Sequence, residues 1–427
     1  MNIESLYQIY LQHPAVSTDT RKIEAGAVFF ALKGPSFNGN AFAEKAIALG
    51  AAYAVVDEVQ YRLDERFILV DDVLTALQQL ARHHRQQLPI PFIAITGSNG
   101  KTTSKELVTA VLAQKFITYA TEGNLNNHIG VPLTILKIKQ DAEMAVIEMG
   151  ANHQKEIAAY CSVALPDYGI INNCGKAHLE GFGGIEGVRK GKGELYDFIR
   201  ENKGTIFRNA DLEYLQEMAA GIEKQITYGS TDATYTGQIS GHQMTLNVAV
   251  QAPGFSVAVH SQLVGDYNFP NIMLAVAVGA HFGVSKEQIK AAIENYLPDN
   301  SRSQLVERGT NRVILDAYNA NPTSMRAAIS NFAGLEGDNK ILWLGAMKEM
   351  GQEEAFEHQA LVGFIGQWSW KEVILVGQEY EPCKGDLSWF ADSDAAAGYL
   401  SAHKPAHSLI LVKGSRGSKM EKLLEAL

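Results

Sequence analysis

The run Ile95-Thr96-Gly97-Ser98-Asn99-Gly100-Lys101-Thr102-Thr103 carries the sharpest chemical signal in the sequence. It follows an apolar strand candidate, Phe92 to Ile95, and precedes a helix-compatible run, Ser104 to Leu112. That context suits phosphate. Glycines let successive backbone N–H groups converge, and a helix N-terminus adds partial positive charge. Lys101 would reach the outer phosphates, and Thr102 would offer its hydroxyl to Mg²⁺. The pattern G-x-x-x-x-G-K-[ST] is not met, because Ile95 stands five residues before Gly100. The loop is a shortened variant, TGSNGKT. A glycine turn alone is weak evidence. With the lysine, the threonine and both flanks, Gly97, Ser98, Asn99, Gly100, Lys101, Thr102 and Thr103 are expected to bind a nucleotide.

A second apolar run, Ala145-Val146-Ile147-Glu148, ends in a carboxylate. Alone it reads as a strand closed by a solvated acid. Beside a phosphate loop, an acid at the end of a neighbouring strand orders Mg²⁺.

These residues need a scaffold, and the pattern of the chain supplies one. Strand and helix signals alternate throughout, which predicts α/β architecture. In the first piece, Ala27 to Leu32 and Ala54 to Val56 read as buried strands, and Phe42 to Leu49 and Val73 to Gln87 as helices. Leu88-Pro89-Ile90-Pro91 breaks the last helix. The second piece runs to about Pro298. Within it Thr227 to His260 alternates polar and apolar residues, which predicts antiparallel hairpins attached to the α/β core. Asn271 to Phe282 reads as a buried helix. The third piece, from Asp299, holds strand candidates at Val313–Leu315, Ile341–Leu344, Val373–Val376 and Leu409–Val412, as in a parallel doubly wound sheet. Three domains are therefore expected: 1–88, 89–298 and 299–427.

Composition narrows the function. The chain has 427 residues, 46% of them hydrophobic, with 37 Lys+Arg against 47 Asp+Glu and a net charge of −10. Disorder is excluded as the dominant state. Sequence-independent binding to nucleic acid or an anionic membrane is disfavoured. Three sparse cysteines make neither a disulfide framework nor a zinc site. With no signal-peptide pattern and no apolar run of membrane length, a cytoplasmic protein is expected.

Several longer segments then point to a family. TGSNGKTT (96–103), GNLNNHIGVP (123–132), VIEMGANH (146–153), NNCGKAHLEGFG (172–183), KGKGELY (190–196), DAYNANPTSM (316–325) and LVKGSRG (411–417) together resemble the Mur ligases, ATP-dependent amide-bond ligases of peptidoglycan precursor synthesis. The family's short phosphate loop accounts for the shortened pattern. The resemblance implies a small α/β domain for the UDP moiety, a central P-loop ATPase domain with an added β region, and a C-terminal Rossmann-like domain for the incoming group. GNLNNHIGVP and YNANPTSM point to the member that joins D-alanyl-D-alanine to UDP-N-acetylmuramoyl-tripeptide through an acyl phosphate. ATP, two Mg²⁺ ions and no macromolecular partner are implied, and a monomer is expected.

The resemblance also assigns roles to residues that read blandly on their own. His178, as a lone histidine, suits a structural hydrogen bond; the family implies a ligand to a second Mg²⁺. Lys192 sits in a basic run, Arg189 to Glu194; the family implies a CO₂-derived carbamate on it that holds the same ion. Asn271 suits a helix cap; the family places its amide on adenine. Arg302 needs no explanation as a surface residue; the family brings it to the γ-phosphate, where a planar fork suits the oxygens. Asp316, at a strand end, is implied to meet the ribose. Substrate contacts are implied for Thr20, Arg21, Lys33, Gly34, Asn38 and Gly39 in the first piece. In the second they are implied for Asn124, Asn126 and Asn127. In the third, Tyr318, Asn319, Asn321, Ser415 and Arg416 are implied. Lys413-Gly414-Ser415-Arg416 reads equally as a surface turn or as a carboxylate anchor.

Two departures stand out. Asn38-Gly39-Asn40 replaces the Asp-Gly-His of many relatives, and Ala346 stands where relatives often carry Asp. Rival readings are a sister ligase adding one amino acid, a P-loop kinase or regulatory ATPase, and a non-catalytic nucleotide-binding module.

Overall fold

Most strand candidates are uninterrupted apolar runs, and the reason is visible in the sheets they build. The computed structural model describes residues 2–241, 244–298 and 301–427. The first sheet has the order Val16–Ser17, Val28–Phe30, Tyr53–Val56, Phe67–Leu69, with every pair parallel. The third runs Gln304–Arg308, Asn311–Asp316, Leu409–Lys413, Lys340–Gly345, Glu372–Val376, Ser388–Phe390, with only the first pair antiparallel.

The central sheet has nine strands. Phe92–Thr96 lies between Tyr168–Ile171 and Met144–Glu148, parallel to both. Thr118–Ala120 closes one edge. On the other side Thr205–Asn209 and Lys224–Gly229 continue the parallel set. Tyr235–Ile239, Thr245–Ala252 and Phe255–Val264 complete it.

Each sheet is covered on both faces, so alternate residues of one strand enter different cores. Phe30, Ala94 and Leu342, one from each sheet, belong to a single contiguous apolar cluster. Their chain neighbours Phe29, Ile93 and Trp343 enter three separate clusters on the opposite faces. Such strands bury both side-chain sets and therefore read as continuous apolar runs.

The expected antiparallel hairpins need correction. The added β region is continuous with the central sheet, and its first pairing is parallel, Tyr228↔Tyr235 and Gly229↔Thr236. Thr227 and Thr234 bond across the intervening turn (Oγ1–Oγ1 3.1 Å), and the chain resumes in the same direction. Only the next two pairs are antiparallel. The expected boundary at 298/299 abuts Asp299 and Asn300, which lie outside the described residues. No helix among the described residues is long and apolar enough to cross a membrane.

Candidate active site

Phe92–Thr96 delivers the glycine loop to the carboxyl edge of the central sheet, where the strand order switches direction. The helix Lys101–Leu112 starts three residues earlier than the apolar pattern indicates. Its N-cap, Gly100, has φ +77°, and a Cβ there would lie 2.7 Å from Asn271 Oδ1. Glycine is required at this position by conformation and by space.

The loop is braced from both neighbouring strands. Asn99 N–H donates to Asn173 Oδ1 (2.9 Å), and Asn173 Nδ2 donates back to Asn99 O (3.2 Å). Ser98 Oγ donates to Gly175 O, and Thr96 Oγ1 to Met149 O. Lys101 Nζ donates to Gly97 O at 2.7 Å. Burial lowers its pKa, Glu148 opposes the shift, and Arg302 reinforces it.

A cavity of about 940 Å³ opens over this loop. Ser98 to Thr103 form its floor, Asn124, Asn126, Asn127 and Glu148 one side, and Arg302, Asp316, Tyr318, Asn319 and Lys413 the opposite wall. His178 and Asn271 also face it. The cavity is thus shared between the central and third sheets.

Glu148 is 1% exposed. Asn126 Nδ2 donates to its Oε1 (2.8 Å), but its Oε2 has no hydrogen-bond partner among the described residues. A buried carboxylate oxygen left over in the cavity that Thr102 also lines is what a hard cation needs when phosphates supply the remaining oxygens. The first metal therefore fits.

For the second, the described residues hold no group of three His, Cys, Asp or Glu that would ligate an ion unaided. His178 adopts a left-handed conformation (φ +53°), and its Nδ1 pairs with Glu349, which orients the ring and leaves Nε2 for a ligand. Lys192 is fully buried, and its Nζ has no hydrogen-bond partner among the described residues. Burial first, then the charge of Lys101, brings its pKa down to about 7. It is no surface basic residue, and as an ammonium it cannot ligate. A carbamate would give it oxygen donors, but Lys192 itself does not line the cavity.

Asn271 is the third residue of the helix Phe269–His281 and makes no cap. Its Oδ1 accepts from Ser104 Oγ (3.0 Å), and its Nδ2 donates to Asn268 Oδ1 (2.8 Å). Arg302 stacks on Tyr318 with its guanidinium carbon 3.8 Å from the ring centroid. Arg416 lies over the same ring at 5.6 Å.

Three expected substrate residues of the third piece, Arg416, Asn321 and Ser415, do not line the cavity. Asn321 caps the helix Pro322–Gly334 through its Oδ1, and its Nδ2 donates to Asn99 Oδ1 at 2.7 Å. Ser415 is 3% exposed, donates to Ala320 O and accepts from Lys348 N–H. Both hold backbone in place.

The first-domain candidates form a separate surface along the carboxyl edge of the first sheet. Lys33 pairs with Asp57 at 2.9 Å and Glu58 at 3.3 Å. Asn38 Nδ2 donates to Glu58 Oε1, and buried Asn40 bonds Asp57. Gly34 precedes the hairpin turn, Gly39 opens the following 3-10 helix, and a Cβ on Gly39 would strike Leu32 O at 2.1 Å. Thr20 and Arg21 lie in a 3-10 turn capped by Asp19. At the other departure, Ala346 is fully buried and its N–H donates to Val376 O.

Asn172, Asn173, Lys176 and Glu349 were missed as functional candidates. For Asn172, Asn173 and Lys176 the signal is position, because 172–176 follow the strand beside the phosphate loop; Glu349 carries no local signal. Lys176 Nζ pairs with buried Glu357 (2.5 Å), so this segment also fastens the third domain.

Three family models match consecutive stretches: the Mur ligase family catalytic domain at 14–85, the Mur ligase middle domain at 95–279 and the Mur ligase glutamate ligase domain at 301–416. The chain belongs to the Mur ligase family. Among its Mur ligase relatives, the UDP-N-acetylmuramoyl-tripeptide–D-alanyl-D-alanine ligase of Escherichia coli is 36% identical, over 97% of this chain and 93% of the relative. The enzyme of the same name from Bacillus subtilis is 35% identical, over 96% and 92%. A MurF crystal structure from Acinetobacter baumannii superposes with a TM-score of 0.88 at 31% identity, covering 96% of this chain and 93% of its own. The Thermotoga maritima MurF ligase in complex with ADP gives 0.86 at 25% identity, covering 96% of each chain.

Proposed function

We propose that this Mur ligase joins D-alanyl-D-alanine to UDP-N-acetylmuramoyl-tripeptide, converting ATP to ADP and phosphate. The observation that carries the reading is the single cavity in which the loop around Lys101 faces Arg302, Asp316 and Tyr318 of another domain. Near-full-length likeness to the UDP-N-acetylmuramoyl-tripeptide–D-alanyl-D-alanine ligases of two organisms supports the choice of substrate.

The terminal carboxylate of the tripeptide attacks the γ-phosphorus. An O–P bond forms, the bond to the bridging oxygen breaks, and ADP leaves. The dipeptide amine then attacks the acyl carbon, loses a proton, and expels phosphate as the C–O bond breaks. Lys101 and Arg302 offset charge on the transferring phosphoryl group. Asn271 faces the adenine and Asp316 the ribose. Thr102 and Glu148 would hold one Mg²⁺, and His178 with carbamylated Lys192 a second. Bound Mg²⁺ supplies neutralisation of phosphate charge.

Lys33 and Asn38, with Thr20, Arg21, Gly34 and Gly39, form the UDP surface of domain 1–88. Domain 89–298 binds ATP, with Asn124, Asn126 and Asn127 facing the substrate. Domain 299–427 receives the dipeptide at Asn319 and Arg416. The enzyme works as a cytoplasmic monomer.

Mass spectrometry of the product tests this. The pentapeptide must form only when ATP, UDP-tripeptide and D-alanyl-D-alanine are all present. A single amino acid incorporated in place of the dipeptide would point to a sister ligase.

A further inference from the structure

Lys413 is a lysine with no access to solvent worth the name. It ends the strand Leu409–Lys413 at 2% exposure and lines the cavity. Asp316 ends the neighbouring parallel strand directly opposite it in register. Lys413 Nζ donates to Asp316 Oδ2 at 2.5 Å and lies 3.5 Å from Asn319 O. Among the described residues Asp316 Oδ1 accepts one long bond, 3.4 Å, from Ser303 N–H.

A buried ammonium is costly unless paired, so this one holds its partner in one orientation. With Oδ2 anchored, the Asp316 carboxylate cannot rotate freely. Oδ1 keeps acceptor capacity, and Asp316 lines the cavity.

We infer that Lys413 is a positioning residue: it fixes Asp316 so that the carboxylate accepts a hydroxyl of the nucleotide ribose and selects ribose over deoxyribose. The inference rests on the nucleotide reading above. A lysine that merely strapped two strands together would affect stability and all ligands alike. Selective loss of hydroxyl recognition separates the two.

The experiment is calorimetric titration of the full chain with ADP, 2′-deoxyADP and 3′-deoxyADP. One charge-assisted hydrogen bond is worth roughly tenfold or more in affinity. The wild type is expected to bind ADP about tenfold tighter than at least one deoxy analogue. Lys413→Met should weaken ADP by about tenfold and leave that analogue within about twofold. Because Lys413→Met strands a carboxylate, the double variant Lys413→Met/Asp316→Asn serves beside it. It removes both charges and should show the same loss of discrimination. Equal weakening of all three nucleotides, or no weakening, overturns the inference. So does a wild type that ignores both hydroxyls, even if it makes the pentapeptide. A wild type that discriminates but forms no amide leaves the inference standing and removes the ligase reading instead.

Discussion

Asn321 Nδ2 donates to Asn99 Oδ1 at 2.7 Å, joining the start of a helix in the third domain to the tip of the phosphate loop. The same asparagine caps its own helix through Oδ1. One side chain thereby couples two elements 222 residues apart in sequence. Asn321→Ser keeps a cap but cannot reach Asn99. We expect kcat/KM for ATP to fall about fivefold with little change in stability, since a net hydrogen bond is worth about 1 kcal/mol. In a double-mutant cycle with Asn99→Ala, the second substitution should add little. Strict additivity would show that the two side chains are not coupled.

Lys101→Met removes the lysine of the phosphate loop, and Glu148→Gln removes the charge beside the uncommitted buried oxygen. Each should lower kcat by about 10²–10³-fold, the cost typical of losing one preorganised electrostatic group. Glu148→Gln should also raise the Mg²⁺ concentration needed for half-maximal rate. An unchanged Mg²⁺ requirement would remove Glu148 from the metal site.

Lys192 is buried and has a pKa near 7, so an appreciable part of it is free amine, the form that adds CO₂. Enzyme stripped of CO₂ should lose most of its activity and regain it on adding bicarbonate. Lys192→Arg, which stays protonated, should be inactive under both conditions. Activity indifferent to bicarbonate in the wild type would argue against a carbamate.

His84 links the first domain to the second. Tyr7 OH lies 3.2 Å from its Nδ1, and its Nε2 lies 2.7 Å from Ile138 O. Burial lowers its pKa below the ordinary histidine value of 6.5. The unfolded chain therefore takes up a proton before the folded one does. The contribution to stability is complete above about pH 6.5 and declines as pH falls below it. Urea unfolding followed between pH 7.5 and 5 should show that decline, and His84→Gln should flatten it. Parallel profiles for the two proteins would contradict the assignment.

Much of this is legible in the sequence alone. The loop at 96–103 and the apolar strands carry local signals, and burial on both sheet faces made those strands plain runs rather than alternations. What escaped was whatever depends on distant partners. Asn321 stood in Asn-Pro-Thr-Ser, a sequence that reads as a helix start with Asn capping and Pro first. Its family context drew attention to substrate instead. Lys413 and Glu349 acquire meaning only beside Asp316 and His178, 97 and 171 residues away. Lys192 looked like part of a solvated basic run. Its burial follows from helix Ile185–Glu201 turning Lys192 inward together with Val188, Leu195 and Ile199. The parallel step at Tyr228 and Tyr235 was invisible because alternation reports a strand's faces and not its direction.

The most direct measurement is phosphate release by the full chain with ATP, with each substrate omitted in turn and the product identified by mass. The account predicts release that requires both UDP-N-acetylmuramoyl-tripeptide and D-alanyl-D-alanine, with one pentapeptide formed per phosphate. Release that proceeds equally without the dipeptide, or with no amide product, would contradict it.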